Sequence, residues 1–192
     1  MSQQNEGKVG RKQAYSLGGI RILSVEEFPF MAGLMASMLR EFGVGKVLST
    51  CSVEEAKKLI SLHNEDSDKE NHIDILTLDL MWPLKNGLDI LEWIRRQEKD
   101  EVRFLPALFC TAYASQDIVC TGRDYGANEV MVKPVSAEKL AQRLLHIIDR
   151  PRPFIKSPAF FGPDRRRQDS QYNGQERRIR GANDLKVVHE KE

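Results

Sequence analysis

The side chains in this sequence best suited to act together on a substrate are widely separated: the acidic pair Glu26-Glu27, the carboxylate of Asp79, the hydroxyl of Thr111, and the ammonium of Lys133, which precedes Pro134. Taken singly, each has an ordinary explanation. Asp79 ahead of a loop can serve as a turn or capping residue, or as a nucleophile. Glu26-Glu27 ahead of a helix can complement its dipole. Thr111 can bond a neighbouring backbone group, Lys133 can be solvated, and Asn86-Gly87 reads as a turn. What joins them is position, because each stands at the end of a short apolar run.

Those runs are strands, and they alternate with helices. Ile20 to Val25 is a β-rich run followed by Phe30, Met31, Leu34, Met35, Met38, Leu39 and Phe42 at helical spacing, closed by Gly43. Lys46 to Thr50 is a second strand, after which Ser52 caps a helix with Glu55 at the capping-box position. Ile73 to Leu78 is nearly continuous in apolar and β-branched residues, the pattern of a central strand covered on both faces. A turn at 83–87, a helix from Leu88, a strand at Leu105 to Cys110, a helix from Ser115, a strand at Val130 to Val132 and a helix from Ser136 to Asp149 complete the series.

Strand and helix alternating in this way call for an α/β fold with an open, five-stranded parallel sheet and helices on both faces. In the flavodoxin-like order 2-1-3-4-5, ligands bind beyond the carboxyl ends of the strands, between strands one and three. That rim is where Glu26-Glu27, Asp79, Thr111 and Lys133 fall, so three carboxylates, a hydroxyl and an ammonium converge there.

At 192 residues, 41% hydrophobic and 30% charged, the chain holds one domain at 20–149 plus extra sequence. The net charge of +1 gives no overall pull toward nucleic acid or anionic lipid. Its distribution is uneven: from Arg150 onward there are 11 basic and 6 acidic residues, against 18 and 22 before it. Residues 1–19 are polar, are expected to be disordered, and lack the apolar core of a signal peptide; nowhere does the chain reach the roughly 20 apolar residues of a membrane span. A cytoplasmic protein is expected. Cys51, Cys110 and Cys120 have neither zinc-site spacing nor an even count and read as small buried apolar residues.

After Asp149, Pro151, Pro153, Pro158 and Pro163 interrupt regular structure, and the stretch 150–192 is expected to be a mostly disordered Pro/Arg-rich tail. The sequence Gly162-Pro163-Asp164-Arg165-Arg166 echoes Gly174-Gln175-Glu176-Arg177-Arg178, and Phe160-Phe161 lies beside the first copy. Paired arginines on a flexible strand suit docking to a protein surface; the acidic residue in each copy argues against nucleic acid. On this reading the tail is dispensable for the domain's stability.

The set Val25-Glu26-Glu27, Leu78-Asp79 with Pro83 and Asn86-Gly87, Thr111-Ala112, and Gly126-Ala127 leading to Val132-Lys133-Pro134 resembles the receiver domains of two-component response regulators, whose type member is the bacterial chemotaxis response regulator. The resemblance covers Ile20 to about Arg150, and the segment Pro151-Arg152-Pro153-Phe154 through Arg167 is similar to the tail of a bacterial subgroup of receivers. It implies a CheY-like domain phosphorylated on Asp79 by a histidine kinase or phosphotransfer protein in a Mg²⁺-dependent reaction, with output through a downstream protein. It implies a phosphoacceptor that catalyses only its own phosphorylation and dephosphorylation, rather than an enzyme. It also implies roles: Glu27, Asp79 and the backbone carbonyl of Met81 as metal ligands, Glu26 acting through water, Thr111 and Lys133 binding the phosphoryl oxygens, and a cis Lys133-Pro134 bond.

Two positions depart from the family pattern. The acidic pair is two glutamates, and Val130 stands where the family usually has an aromatic switch residue. These motivate a second reading, a pseudo-receiver that binds proteins constitutively. A third, a haloacid-dehalogenase-like phosphatase, wants a second Asp two residues after the nucleophile, where this chain has Met81.

Overall fold

The computed structural model describes residues 16–65, 69–79, 86–165 and 186–188. Five parallel strands, β1 (Arg21–Val25), β2 (Lys46–Thr50), β3 (Ile75–Asp79), β4 (Ala107–Thr111) and β5 (Glu129–Val132), form one sheet in the order β2-β1-β3-β4-β5. The helices are α1 (Pro29–Glu41), α2 (Val53–Asn64), α3 (Asn86–Arg95), the short α4 (Asp100–Arg103), α5 (Gln116–Asp124) and α6 (Ala137–Asp149). This is the expected architecture with the expected strand order; α4 is an addition to it.

Alternation along the strands divides the core. Leu23, Leu76 and Phe109 pack with Ala56 and Ile60 of α2 and Leu91 and Ile94 of α3, whereas Ile22, Ile75 and Leu108 pack with Leu39 of α1 and Leu140 and Leu144 of α6. Adjacent strand residues thus serve opposite faces, and both faces are apolar because both are covered. The hydroxyls of Ser52, Ser115 and Ser136 accept from the backbone N–H three residues on and cap α2, α5 and α6.

Several expectations are corrected. Phe30 and Leu34, on the periodic stripe of α1, are exposed, and only Met35, Ala36 and Leu39 of that helix are buried. Cys110 is buried, but Cys51 and Cys120 are exposed. Of the N-terminal stretch expected to be disordered, 1–15 lie outside the described residues, while Leu17 is buried and its carbonyl accepts from Ile20 and Gly45.

The largest correction concerns the C-terminal stretch. β6 (Phe154–Ser157) and β7 (Phe160–Pro163) form an antiparallel hairpin, and β8 (Lys186–Val188) pairs antiparallel with the other edge of β6. Residues 166–185 and 189–192, which include the second arginine pair, lie outside the described residues. Phe154, Ile155, Gly162 and Pro163 are buried. Phe104, Phe154 and Phe161 form an aromatic cluster with centroids 4.7 to 5.5 Å apart, and Gly162 lies so close to Gly126 that a Cβ there would stand 3.2 Å from the Gly126 Cα. The proline spacing reads as a breaker of structure, yet the apolar residues between the prolines are enough to bury a hairpin once the domain supplies the other half of the cluster.

Two charged residues of the domain receive this hairpin. Arg95, at the end of α3, donates to the carbonyls of Arg103, Leu105 and Gly126 and to the Asn128 side-chain oxygen, with its guanidinium 5.1 Å from the Phe154 ring centroid. Burial pushes its pKa down to about 9, so it remains charged at neutral pH. Gly126 makes room for it: its φ is +96°, and a Cβ there would meet the Arg95 side chain at 2.8 Å. Glu129, at the start of β5, has a buried carboxylate held by Arg143 and His146 of α6, each at 2.9 Å, and by Arg152 of the extension at 3.1 Å.

Candidate functional site

At the opposite end of the sheet, the carboxyl ends of β1, β3 and β5 bring three charged side chains into contact. Lys133 Nζ lies 2.6 Å from Glu26 Oε2 and 3.0 Å from Asp79 Oδ2. All three are largely withdrawn from solvent, with side-chain exposures of 12% for Lys133, 4% for Glu26 and 7% for Asp79. The backbone fixes this arrangement. Glu26 N donates to the Thr50 carbonyl and the Phe28 N–H donates to Glu26 Oε1, while Asp79 is the last residue of the fully buried β3. Lys133 N donates to the Thr111 carbonyl at 2.7 Å, extending the β4–β5 pairing by one residue. The Lys133-Pro134 bond is cis.

The electrostatics follow from the count of charges. Two carboxylates share one ammonium in a half-dry setting, so one negative charge is left over. Burial pushes the Asp79 pKa up to about 6; the Lys133 hydrogen bond opposes that rise and the neighbouring Glu26 charge adds to it. For Lys133, burial alone would lower the pKa, but its hydrogen bonds to Glu26 and Asp79 outweigh that and raise it. The ammonium is therefore firmly protonated, and Asp79 is the group whose charge is costly.

Of the other expected site residues, Thr111 is fully buried at the end of β4, and its Oγ1 accepts from the Tyr113 backbone N–H at 3.0 Å. Glu27 stands exposed on the rim beside buried Glu26. Met81 lies outside the described residues. Val130 is buried in the core and Tyr113 is half exposed. Cys110, beside Asp79 in the β3–β4 register, has its thiol pushed up to about 12 by burial and is inert. Arg95 and Glu129 escape sequence reasoning, although a signal exists for one of them: Arg95 continues the apolar stripe of Leu88 and Leu91 on α3.

A parallel five-stranded sheet in this order, with Glu26, Asp79 and Lys133 gathered at the carboxyl ends of its strands, is the arrangement expected of a receiver domain. The chain belongs to the response regulator receiver domain family, whose model matches residues 22–145. It is 26% identical over 131 residues to the chemotaxis protein CheY of Pseudomonas aeruginosa, covering 68% of this chain and 98% of that one. With the response regulator SaeR of Staphylococcus aureus it shares 31% identity over 113 residues, 59% of this chain and 44% of the relative, so it spans less than half of SaeR's length. Among solved structures, CheY in the CheX-CheY-BeF₃-Mg²⁺ complex of Borrelia burgdorferi superposes with a TM-score of 0.57 at 23% identity, over 67% of this chain and 89% of that one. The family places the protein in two-component signalling. No helix among the described residues is long and apolar enough to cross a membrane. The family match stops short of the hairpin.

Proposed function

We propose that the rim accepts a phosphoryl group on Asp79 from a histidine kinase or a phosphotransfer protein, and that the change in charge there governs binding to a downstream protein. The observation that carries this is the unbalanced cluster, in which Asp79 shares Lys133 with Glu26 and is left with surplus negative charge. The donor set fits Mg²⁺, which takes hard oxygen ligands and is drawn to sites with excess anionic charge. Glu27, Asp79 and the Met81 carbonyl would hold it, with Glu26 acting through water. Bound there, Mg²⁺ supplies charge neutralisation on the phosphoryl oxygens.

The chain's own residues do the rest. An Asp79 carboxylate oxygen forms the new P–O bond as the donor's P–N bond breaks, the electron pair leaving with the imidazole. Lys133 turns its ammonium from the free carboxylate to a phosphoryl oxygen, and the Thr111 hydroxyl donates to another. Pro134 fixes the chain beyond Lys133. The chain acts as phosphoacceptor, with no other substrate required.

Treatment with acetyl phosphate and Mg²⁺, followed by peptide mass spectrometry, should place a single adduct on Asp79, and Asp79→Asn should abolish it. Modification elsewhere, or none at saturating Mg²⁺, would overturn the proposal. The two departures at Glu27 and Val130 favour the pseudo-receiver as the reading that would then replace it.

A further inference from the structure

The two strands that carry the phosphoryl-binding side chains are held at their other ends by the groups that seat the C-terminal hairpin. β5 runs for four residues, from Glu129 to Val132, and is followed directly by Lys133. At one end Lys133 is tied to Glu26 and Asp79; at the other, Glu129 is tied to Arg143, His146 and, from the extension, Arg152. β4 repeats the pattern. Thr111 closes its site end, while near its start the Leu105 carbonyl accepts from Arg95, and the Ala107 N–H donates to the same Asn128 oxygen that accepts from Arg95. Arg95 is then covered by Phe154. All five residues of β4 are buried, as are the first three of β5. Packed strands of this kind shift as units rather than bending.

From this juxtaposition we propose that the hairpin of β6 and β7 is an output element of the receiver, whose seating on Arg95 and Glu129 is loosened when Asp79 takes up a phosphoryl group. The inference rests on Asp79 being the phosphoacceptor. Phosphorylation adds negative charge beyond Asp79 and draws Lys133 outward, away from Glu26. β5 follows Lys133, and Glu129 moves with it. The Glu129 carboxylate is fully committed, so Arg152 must follow or lose its contact. Because Arg152 also donates to the Asp164 carbonyl at the end of β7, the strain falls on the hairpin. Binding linkage makes the effect reciprocal: whatever loosens the hairpin must favour the phosphorylated form by the same factor.

The test uses the full chain with beryllofluoride and Mg²⁺ as the phosphoryl mimic. Peptides covering 154–163 should exchange amide hydrogens about fivefold faster or more when the mimic is bound, the low end of usual coupling between sites. Arg152→Ala, which removes the extension's hold on Glu129 together with the bond to the Asp164 carbonyl, should bind the mimic about fivefold more tightly. A hairpin with a purely structural role would leave that affinity unchanged. If acetyl phosphate labels Asp79 while exchange at 154–163 and the Arg152→Ala affinity do not change, the coupling is overturned and the phosphoacceptor reading stands. Should Asp79 prove inert, Lys133→Ala still decides the matter: it frees the site end of β5 without any phosphodonor. Unaltered exchange at 154–163 in that variant would likewise overturn the coupling.

Discussion

The two ends of the sheet treat buried charge in opposite ways. At the rim, two carboxylates compete for one lysine, and the surplus negative charge raises the cost of ionising Asp79. At the hairpin pole each buried charge is well supplied with partners: Arg95 has oxygen acceptors for its N–H groups and an aromatic face above it, and the single Glu129 carboxylate is surrounded by two guanidiniums and an imidazole. The first arrangement is short of positive charge; the second is satisfied and holds a segment in place. The difference teaches where substitutions will cost stability and where they will alter chemistry.

The largest effects belong to the hairpin pole. Phe154→Ala should cost about 3–5 kcal/mol, since it empties a buried aromatic site and exposes the uncharged-ligand shell of Arg95 to rearrangement; urea denaturation of the full chain measures it. Glu129→Gln should cost about 3 kcal/mol, because it strands Arg152 and Arg143 without their carboxylate. Glu26→Gln, its counterpart at the rim, should shift stability by no more than about 1 kcal/mol, since Lys133 keeps Asp79 and the surplus charge disappears. Equal losses for Glu129→Gln and Glu26→Gln would erase the distinction between the two ends.

The rim was largely legible in the sequence and the hairpin pole was not, for a physical reason. The rim residues sit at strand ends, and strand ends can be read from short apolar runs once the fold class fixes their order. Glu26, Asp79 and Lys133 come together through that regularity alone. The hairpin depends instead on contacts between Phe154, Phe161 and Phe104, and on a buried arginine most of whose acceptors are backbone carbonyls. Such acceptors have no signature in sequence. Prolines at 151, 153, 158 and 163 argue for a tail, whereas in the structure Pro163 ends a strand and Pro158 lies in the turn between two. The division between Glu26 and Glu27 was also hidden, because adjacent residues leaving a strand differ in burial only when the following loop's direction is known.

A smaller, pH-dependent effect separates the rim from the pole. The folded-state pKa of Asp79, about 6, lies above the ordinary carboxylate value of 3.8, so the folded protein holds that proton more tightly than the unfolded chain. The resulting stability is fully present below the ordinary carboxylate range and is lost as pH rises through about 6. Without divalent cations, the stability gap between Asp79→Asn and wild type should therefore narrow by about 1 kcal/mol as pH falls from about 7.5 to about 5.5. A gap independent of pH would show that Asp79 titrates normally and that the rim carries no charge surplus.

The smallest stability effect should come from Glu27, and its smallness is informative. Its side chain stands exposed on the rim, and an exposed carboxylate contributes little to folding, so Glu27→Gln should change the unfolding free energy by less than about 0.5 kcal/mol. If Glu27 supplies a direct oxygen ligand, the same substitution should nonetheless weaken Mg²⁺ binding at least about tenfold, because replacing a charged ligand by an amide removes much of the attraction for a hard dication. Glu27→Asp should tighten binding, the shorter side chain holding its oxygens with less freedom. Calorimetric titration of the variants with Mg²⁺ separates this from the alternative, in which the buried Glu26 carries the metal after releasing Lys133. In that case Glu27→Gln would bind like wild type and Glu26→Gln would fail. The site would then be built wholly from the buried carboxylates, and its metal affinity would be tied directly to the position of Lys133.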